Sequence, residues 1–230
     1  MLSATATMPV PGSGPSLGRK WIKANAIVAV VYGAIGVLSF TTDTLLGTSP
    51  GTIARSVAAI LALLGTVAMM GAYAMLTGTV LSEKLPTFST RGWNALHIAI
   101  GLLTGAAFAA AYLLGNVPGS GAPPAMPADR SMLIGGIAIA LVFGLIFGAA
   151  MGSLQALVLR RSARGLGAWI ALSAVASSVF IAVLMGVALM FTAESPAPMQ
   201  LLAREIMIFG GVMASALVML PAVKRLAPRV

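Results

Sequence analysis

Few side chains in this sequence can do chemistry, and two stand out by their position. Gln155 lies in the stretch GLIFGAAMGSLQALVLRR, Gly144 to Arg161, and His97 is the single histidine of the chain. An amide inside an apolar helix must find a hydrogen-bond partner, either on another helix or on a ligand. A buried imidazole can accept or donate a hydrogen bond, or ligate a haem iron or a chlorophyll magnesium. Asn94 precedes His97 by one helical turn on the same face and is a natural partner for the ring, as is Gln155 at similar depth. With Asn25, Tyr32, Thr77, Ser173 and Ser177, these residues form an uncharged polar set from which a ligand site could be built. Asp43, Arg204 and Glu205 form a second, charged set. Arg204 and Glu205 are adjacent on one helix and are not expected to face each other, whereas Asp43 could pair with Arg204 or Arg55 as an outer salt bridge.

Several kinds of chemistry have no residues to carry them. The sequence has no cysteine, hence no disulfide, thiolate nucleophile or cysteine metal site. It lacks H-E-x-x-H, G-x-S-x-G and a phosphate-binding glycine loop, and no His, Asp and Glu gather with metal-ligand spacing. No acidic residue is expected at mid-membrane, which argues against a pump working through a buried carboxylate relay. The expectation is a protein without catalysis, metal or cofactor. A weaker alternative is a haem- or pigment-binding subunit that uses His97, with Gly101 and Gly105 leaving a cleft beside the ring.

The elements that must position these residues follow from composition. Of 230 residues 59% are hydrophobic and only 8% charged, about a third of the charged fraction of an ordinary soluble domain. The apolar residues fall into six long blocks, about 25–46, 53–81, 93–114, 132–159, 168–191 and 201–223. Each is long enough to cross a bilayer as a helix, which satisfies all its backbone hydrogen bonds internally. The expected fold is all-α: six transmembrane helices between a flexible tail at 1–24 and a short tail at 224–230. The first block is too long for a cleaved signal segment and has no small-residue cleavage site after it. Pro/Gly-rich segments at 115–128 and 193–198 read as outer loops.

Charge gives the expected orientation. With the N-terminus inside, eleven of the 14 basic residues fall in cytoplasmic segments, the exceptions being Arg55, Arg130 and Arg204. Four of the five acids, all but Glu83, fall outside, as the retention of positive charge during insertion predicts. Trp21, Trp93 and Trp169 sit at the same helix ends, where interfacial anchoring is expected. The net charge of +9 is therefore a topology signal that also suits anionic headgroups, and nucleic acid is not an expected partner. Both termini are placed in the cytoplasm and the protein in the inner membrane.

Small residues supply the remaining pattern. Gly136, Ala140, Gly144, Gly148, Gly152 and Ala156 recur every four residues and make one ridge along the fourth helix, while Gly101, Gly105 and Ala109 make a shorter ridge on the third. Such ridges let helices approach to backbone contact, and the two are natural mates. Arg160, Arg161 and Arg164 then read as the stop at the inner headgroups. The pattern G-x-x-Q-x-x-V-L-R-R is similar to one in uncharacterised multi-pass bacterial membrane proteins and implies no activity. An echo links helices two and three, with Gly71-Ala72, Val80-Leu81 and Gly92-Trp93, to helices four and five, with Gly148-Ala149, Val158-Leu159 and Gly167-Ala168-Trp169.

Two functions follow as expectations. The first is an accessory or scaffold subunit that packs against other transmembrane subunits, or against itself, through glycine ridges. The second is a small-solute permease or a membrane component that captures a substrate. In size and helix count the chain resembles the six-helix substrate-capture subunits of vitamin uptake systems, which implies a small neutral or weakly polar ligand.

Overall fold

The structure, a computed structural model, describes residues 16–46, 51–114, 130–188 and 197–229. The tail up to residue 15, the Pro/Gly-rich segment at 115–128, residues 193–196 and the side chain of Asp43 lie outside the described residues.

Among the described residues are six helices long and apolar enough to cross a membrane. They are α1 (Leu17–Leu46), α2 (Thr52–Lys84), α3 (Thr90–Leu113), α4 (Arg130–Leu159), α5 (Leu166–Ala188) and α6 (Ala197–Arg225). Helix α1 starts well before Asn25, because Ser16 accepts a bond from the Arg19 amide, 3.4 Å away, and nothing from Leu17 to Lys23 opposes a helix except Gly18. Arg19, Lys20 and Lys23 are therefore helical and not part of a tail. The chain beyond α6 is also held: β2 (Ala227–Pro228) pairs antiparallel with β1 (Ala163–Arg164). Gly165, at φ +85°, makes the turn from β1 into α5, in a backbone region that favours glycine.

Each helix packs on its neighbours in the circular order α3, α2, α1, α6, α5, α4, and the circle closes only sparingly between α4 and α3. The glycine ridges serve this packing, with partners other than those the spacing suggested. Gly101 and Gly105 face α2, where an added Cβ would stand 3.1 Å from the Val67 Cα and 3.0 Å from the Leu63 Cα. Gly144, Gly148 and Gly152 face α5, where added Cβ atoms would stand 2.8 Å from the Ser178 Cα, 2.6 Å from the Ser177 Cβ and 2.7 Å from the Ser173 Cβ. The ridges of α3 and α4 do not mate, because each lies against the helix next to it on the far side. Ala140 is half-buried, and Gly136 has open space where its Cβ would be. The α2–α3 and α4–α5 pairs linked by the sequence echo are both extensively packed, but they differ in which helix carries the glycines.

The largest core lies at the end rich in Lys and Arg, called the basic end below. It gathers Trp21, Leu81, Leu85, Phe88, Trp93, Leu159, Trp169, Val223 and Leu226. Polar contacts stitch its rim: Lys20 Nζ meets Glu83 Oε2 at 2.5 Å, Lys84 Nζ donates to the carbonyls of Val223 and Lys224 at 2.7 Å, and Ser162 Oγ donates to the Thr87 carbonyl at 2.8 Å. Large apolar side chains such as Leu103, Ile139, Phe143 and Ile146 point outward, as lipid-facing helices require.

Candidate functional site

The three tryptophans, near the starts of α1, α3 and α5 at the basic end, turn inward and not onto the surface of the protein. Each is almost wholly buried, and their rings meet edge to face, Trp93 to Trp169 at 6.0 Å and Trp21 to Trp169 at 6.3 Å between centroids. They turn inward because each indole N–H finds a partner there. Trp21 donates to the Ala216 carbonyl at 3.0 Å, Trp93 to Thr77 Oγ1 at 3.2 Å, and Trp169 to Gln155 Oε1 at 3.0 Å.

The last of these bonds fixes the polar centre. With Oε1 accepting from Trp169, the Gln155 amide nitrogen is directed at His97 Nε2, 3.1 Å away. An amide nitrogen only donates, so Nε2 must accept and carries no proton. The proton of the neutral ring is then on Nδ1, which donates to the Trp93 carbonyl at 2.8 Å. Four groups on three helices thus set each other's orientation: indole to amide, amide to imidazole, imidazole to backbone. Tyr73, which the sequence reading missed, adds its ring 5.1 Å from that of His97.

This arrangement corrects two expectations. Asn94 is not the partner of His97; its Oδ1 is buried without a hydrogen bond. Nor do Gly101 and Gly105 leave a cleft beside the His97 ring, because the backbone of α2 fills the space over them. The lone pair that a haem iron would take already accepts from Gln155.

Immediately beyond this centre, away from the basic end, is a cavity of about 240 Å³ to which all six helices contribute. It is large compared with the 10–15 Å³ needed for one water in the same measure. Of the uncharged set, Asn25, Tyr32, His97, Gln155, Ser173 and Ser177 line it, while Thr77 and Asn94 do not. No charged side chain lines it; the rest of its wall is aromatic rings, methionines and small residues. Two of its hydroxyls are poorly satisfied: Tyr32 donates to Met70 Sδ at 3.7 Å and Ser173 to Met219 Sδ at 3.6 Å, and a thioether is a weak acceptor, whereas Ser215 donates to the Ala176 carbonyl at 2.9 Å. Asn25, also in the wall, donates through Nδ2 to the Trp21 carbonyl at 3.0 Å.

The tryptophan core lies between this cavity and the basic end. The missed wall residues Met70, Met219, Phe147 and Phe180 carried no signal beyond apolarity, because a side chain facing a cavity and one facing lipid read alike in sequence.

The charged set lies elsewhere. Arg204 and Glu205, though consecutive, converge on α1: Arg204 Nε and Glu205 Oε1 lie 3.9 and 3.4 Å from the point a Cβ of Gly36 would occupy. The missing Cβ atoms of Gly33 and Gly36 leave room for these side chains against α1. Glu205 also abuts Gly33, midway along α1, and its Oε1 is buried without a hydrogen bond. The carboxyl is therefore packed between helices and is not a hydrated group at a helix end. Among the described residues no group of three or more His, Asp and Glu could hold a metal.

No protein-family model, no curated protein and no solved structure matches this chain. The geometry therefore defines a class and no more: a multi-pass membrane protein with a neutral internal cavity.

Proposed function

We propose that this chain is a six-helix bundle of the inner membrane, both termini cytoplasmic, that binds a small uncharged ligand in its central cavity as a permease or substrate-capture component. The observation that carries this reading is the wall of the cavity. It has two hydroxyls, of Tyr32 and Ser173, bonded to sulfur, aromatic surfaces and no charge, the balance of apolar lining and few polar groups that small-molecule sites use. The glycine ridges favour it indirectly: Gly101, Gly105, Gly144, Gly148 and Gly152 are occupied within the chain and are not offered to another subunit.

Purification in mild detergent followed by native mass spectrometry tests the proposal. A small molecule should accompany the wild type and be absent from Val212→Phe, which fills the cavity from α6. If the wild type is empty and Val212→Phe is unchanged in every binding assay, the reading fails. Single cysteines added at Ser16 and Arg229 of this cysteine-free chain test the orientation by membrane-impermeant labelling, which should reach them only from the cytoplasmic side.

A second reading has one observation behind it. The open space at Gly136 leaves that part of the α4 ridge free for a helix of another subunit or a second copy, as an accessory protein would use. The exposed Arg160, Arg161 and Arg164 suit anionic headgroups in either case.

A further inference from the structure

The seam between α3 and α4 is the weakest join in the circle of helices, and its position bears on how the cavity fills. The two helices are held by His97 and Gln155, and by Gly92 against Val158, where an added Cβ would stand 3.5 Å from Val158 Cγ1. Both contacts are near the basic end. Further along, each helix turns its small face away from the other, α3 toward α2 and α4 toward α5. The cavity begins where the contacts stop. Phe147, which lines it, is also 49% exposed on the outside of α4, so one ring belongs to both the cavity wall and the lipid-facing surface. Phe147 is twelve residues from the end of α4 at Leu159, about 18 Å at 1.5 Å per residue, which is inside a hydrocarbon layer about 30 Å thick. Between the cavity and the basic end, by contrast, lies the tryptophan core.

We propose that the ligand enters sideways from the bilayer between α3 and α4, and that it is a planar, uncharged ring bearing carbonyl acceptors. The proposal rests on the cavity being a ligand site, as argued above. Four features select this class. An uncharged wall excludes ions, which would lose their hydration without compensation. The hydroxyls of Tyr32, Ser173 and Ser177 call for acceptors on the ligand. The rings of Trp21, Tyr73 and Phe180 line the cavity, and aromatic walls pack well against a flat ligand. A mouth at hydrocarbon depth admits what dissolves in lipid.

The three tryptophans supply the readout, because Trp21 lines the cavity, Trp169 packs against Trp21 and Trp93 against Trp169, and they are the only ones in the chain. The full chain is reconstituted in phosphatidylcholine vesicles and titrated with decylubiquinone, a quinone that quenches indole fluorescence. Nicotinamide, planar and carbonyl-bearing but water-soluble, serves as the comparison. The expected result is saturable quenching that follows the mole fraction of quinone in the lipid. Tyr32→Phe, which keeps the ring, should raise the midpoint about fivefold, the worth of one ordinary hydrogen bond. Phe147→Ala, which removes the ring at the mouth, should speed the onset of quenching.

Quenching that is linear in quinone and equal in wild type, Tyr32→Phe and Val212→Phe is collisional and overturns the proposal. Saturable binding of nicotinamide without saturable binding of the quinone overturns lateral entry and leaves the ligand-binding reading intact. If no probe saturates and nothing accompanies the purified wild type, both fall together.

Discussion

The amide nitrogen of Gln155 on α4 lies 3.1 Å from Nε2 of His97 on α3, at the place where those two otherwise loosely joined helices are held. Because Trp169 fixes the amide from its other side, this bond also dictates the tautomer of the only histidine. The polar centre is thus a lock on the α3–α4 seam, and the cavity lies directly above it.

Gln155→Leu should leave the Trp169 indole N–H without its acceptor and His97 Nε2 without its donor. A buried group so orphaned loses about 1–3 kcal/mol, so the melting temperature in detergent should fall clearly. His97→Ala and Gln155→Ala should be non-additive by about 0.5–3 kcal/mol, as for residues in one network. Additive losses in thermal or denaturant unfolding would show that the two side chains act separately.

The tautomer is directly observable. In protein labelled with ¹⁵N-histidine, the sole imidazole should give one pair of ring signals at neutral pH, with the proton on Nδ1 and a bare Nε2. A proton on Nε2 would reverse the direction of the network and remove the role given to Gln155.

Glycine substitutions along α4 should separate sharply. Gly148→Leu should prevent α4 from seating on α5, since even a Cβ there meets the Ser177 Cβ at 2.6 Å, and overpacking of this kind costs about 1–3 kcal/mol or more. Gly136→Leu, with open space around it, should fold normally. The comparison is made by detergent melting and by yield of monodisperse protein; equal damage from both would mean that the ridge is engaged along its whole length.

Breaking the Lys20–Glu83 pair should matter little. Both side chains are substantially exposed, 35% and 45%, and exposed pairs contribute about 0.2–1 kcal/mol, less in salt. Lys20→Met should lower the melting temperature slightly at low ionic strength, with the difference vanishing in molar salt. Glu205→Gln is expected to do more than this, because the oxygen it alters is buried between α6 and the glycines of α1.

The number of helices and their approximate spans were legible because solubility in hydrocarbon constrains composition residue by residue, and a run of apolar residues needs no partner to declare itself. Gln155, His97 and the hydroxyl residues were legible as candidates for the same reason: polar groups are rare there and must be satisfied. What the sequence could not determine was which faces meet. Gly148 and Gly101 have a spacing that permits close approach but names no partner, and the fold gave them α5 and α2 instead of each other. Spacing along one helix likewise set Arg204 and Glu205 apart, until the absent Cβ atoms of Gly33 and Gly36 let both reach α1. The tryptophans, apt for an interface by chemistry, went inward because acceptors on other helices awaited them. Local periodicity fixes what each helix can offer; only the tertiary arrangement, where six offers must be satisfied together, decided that the polar ones would surround a cavity.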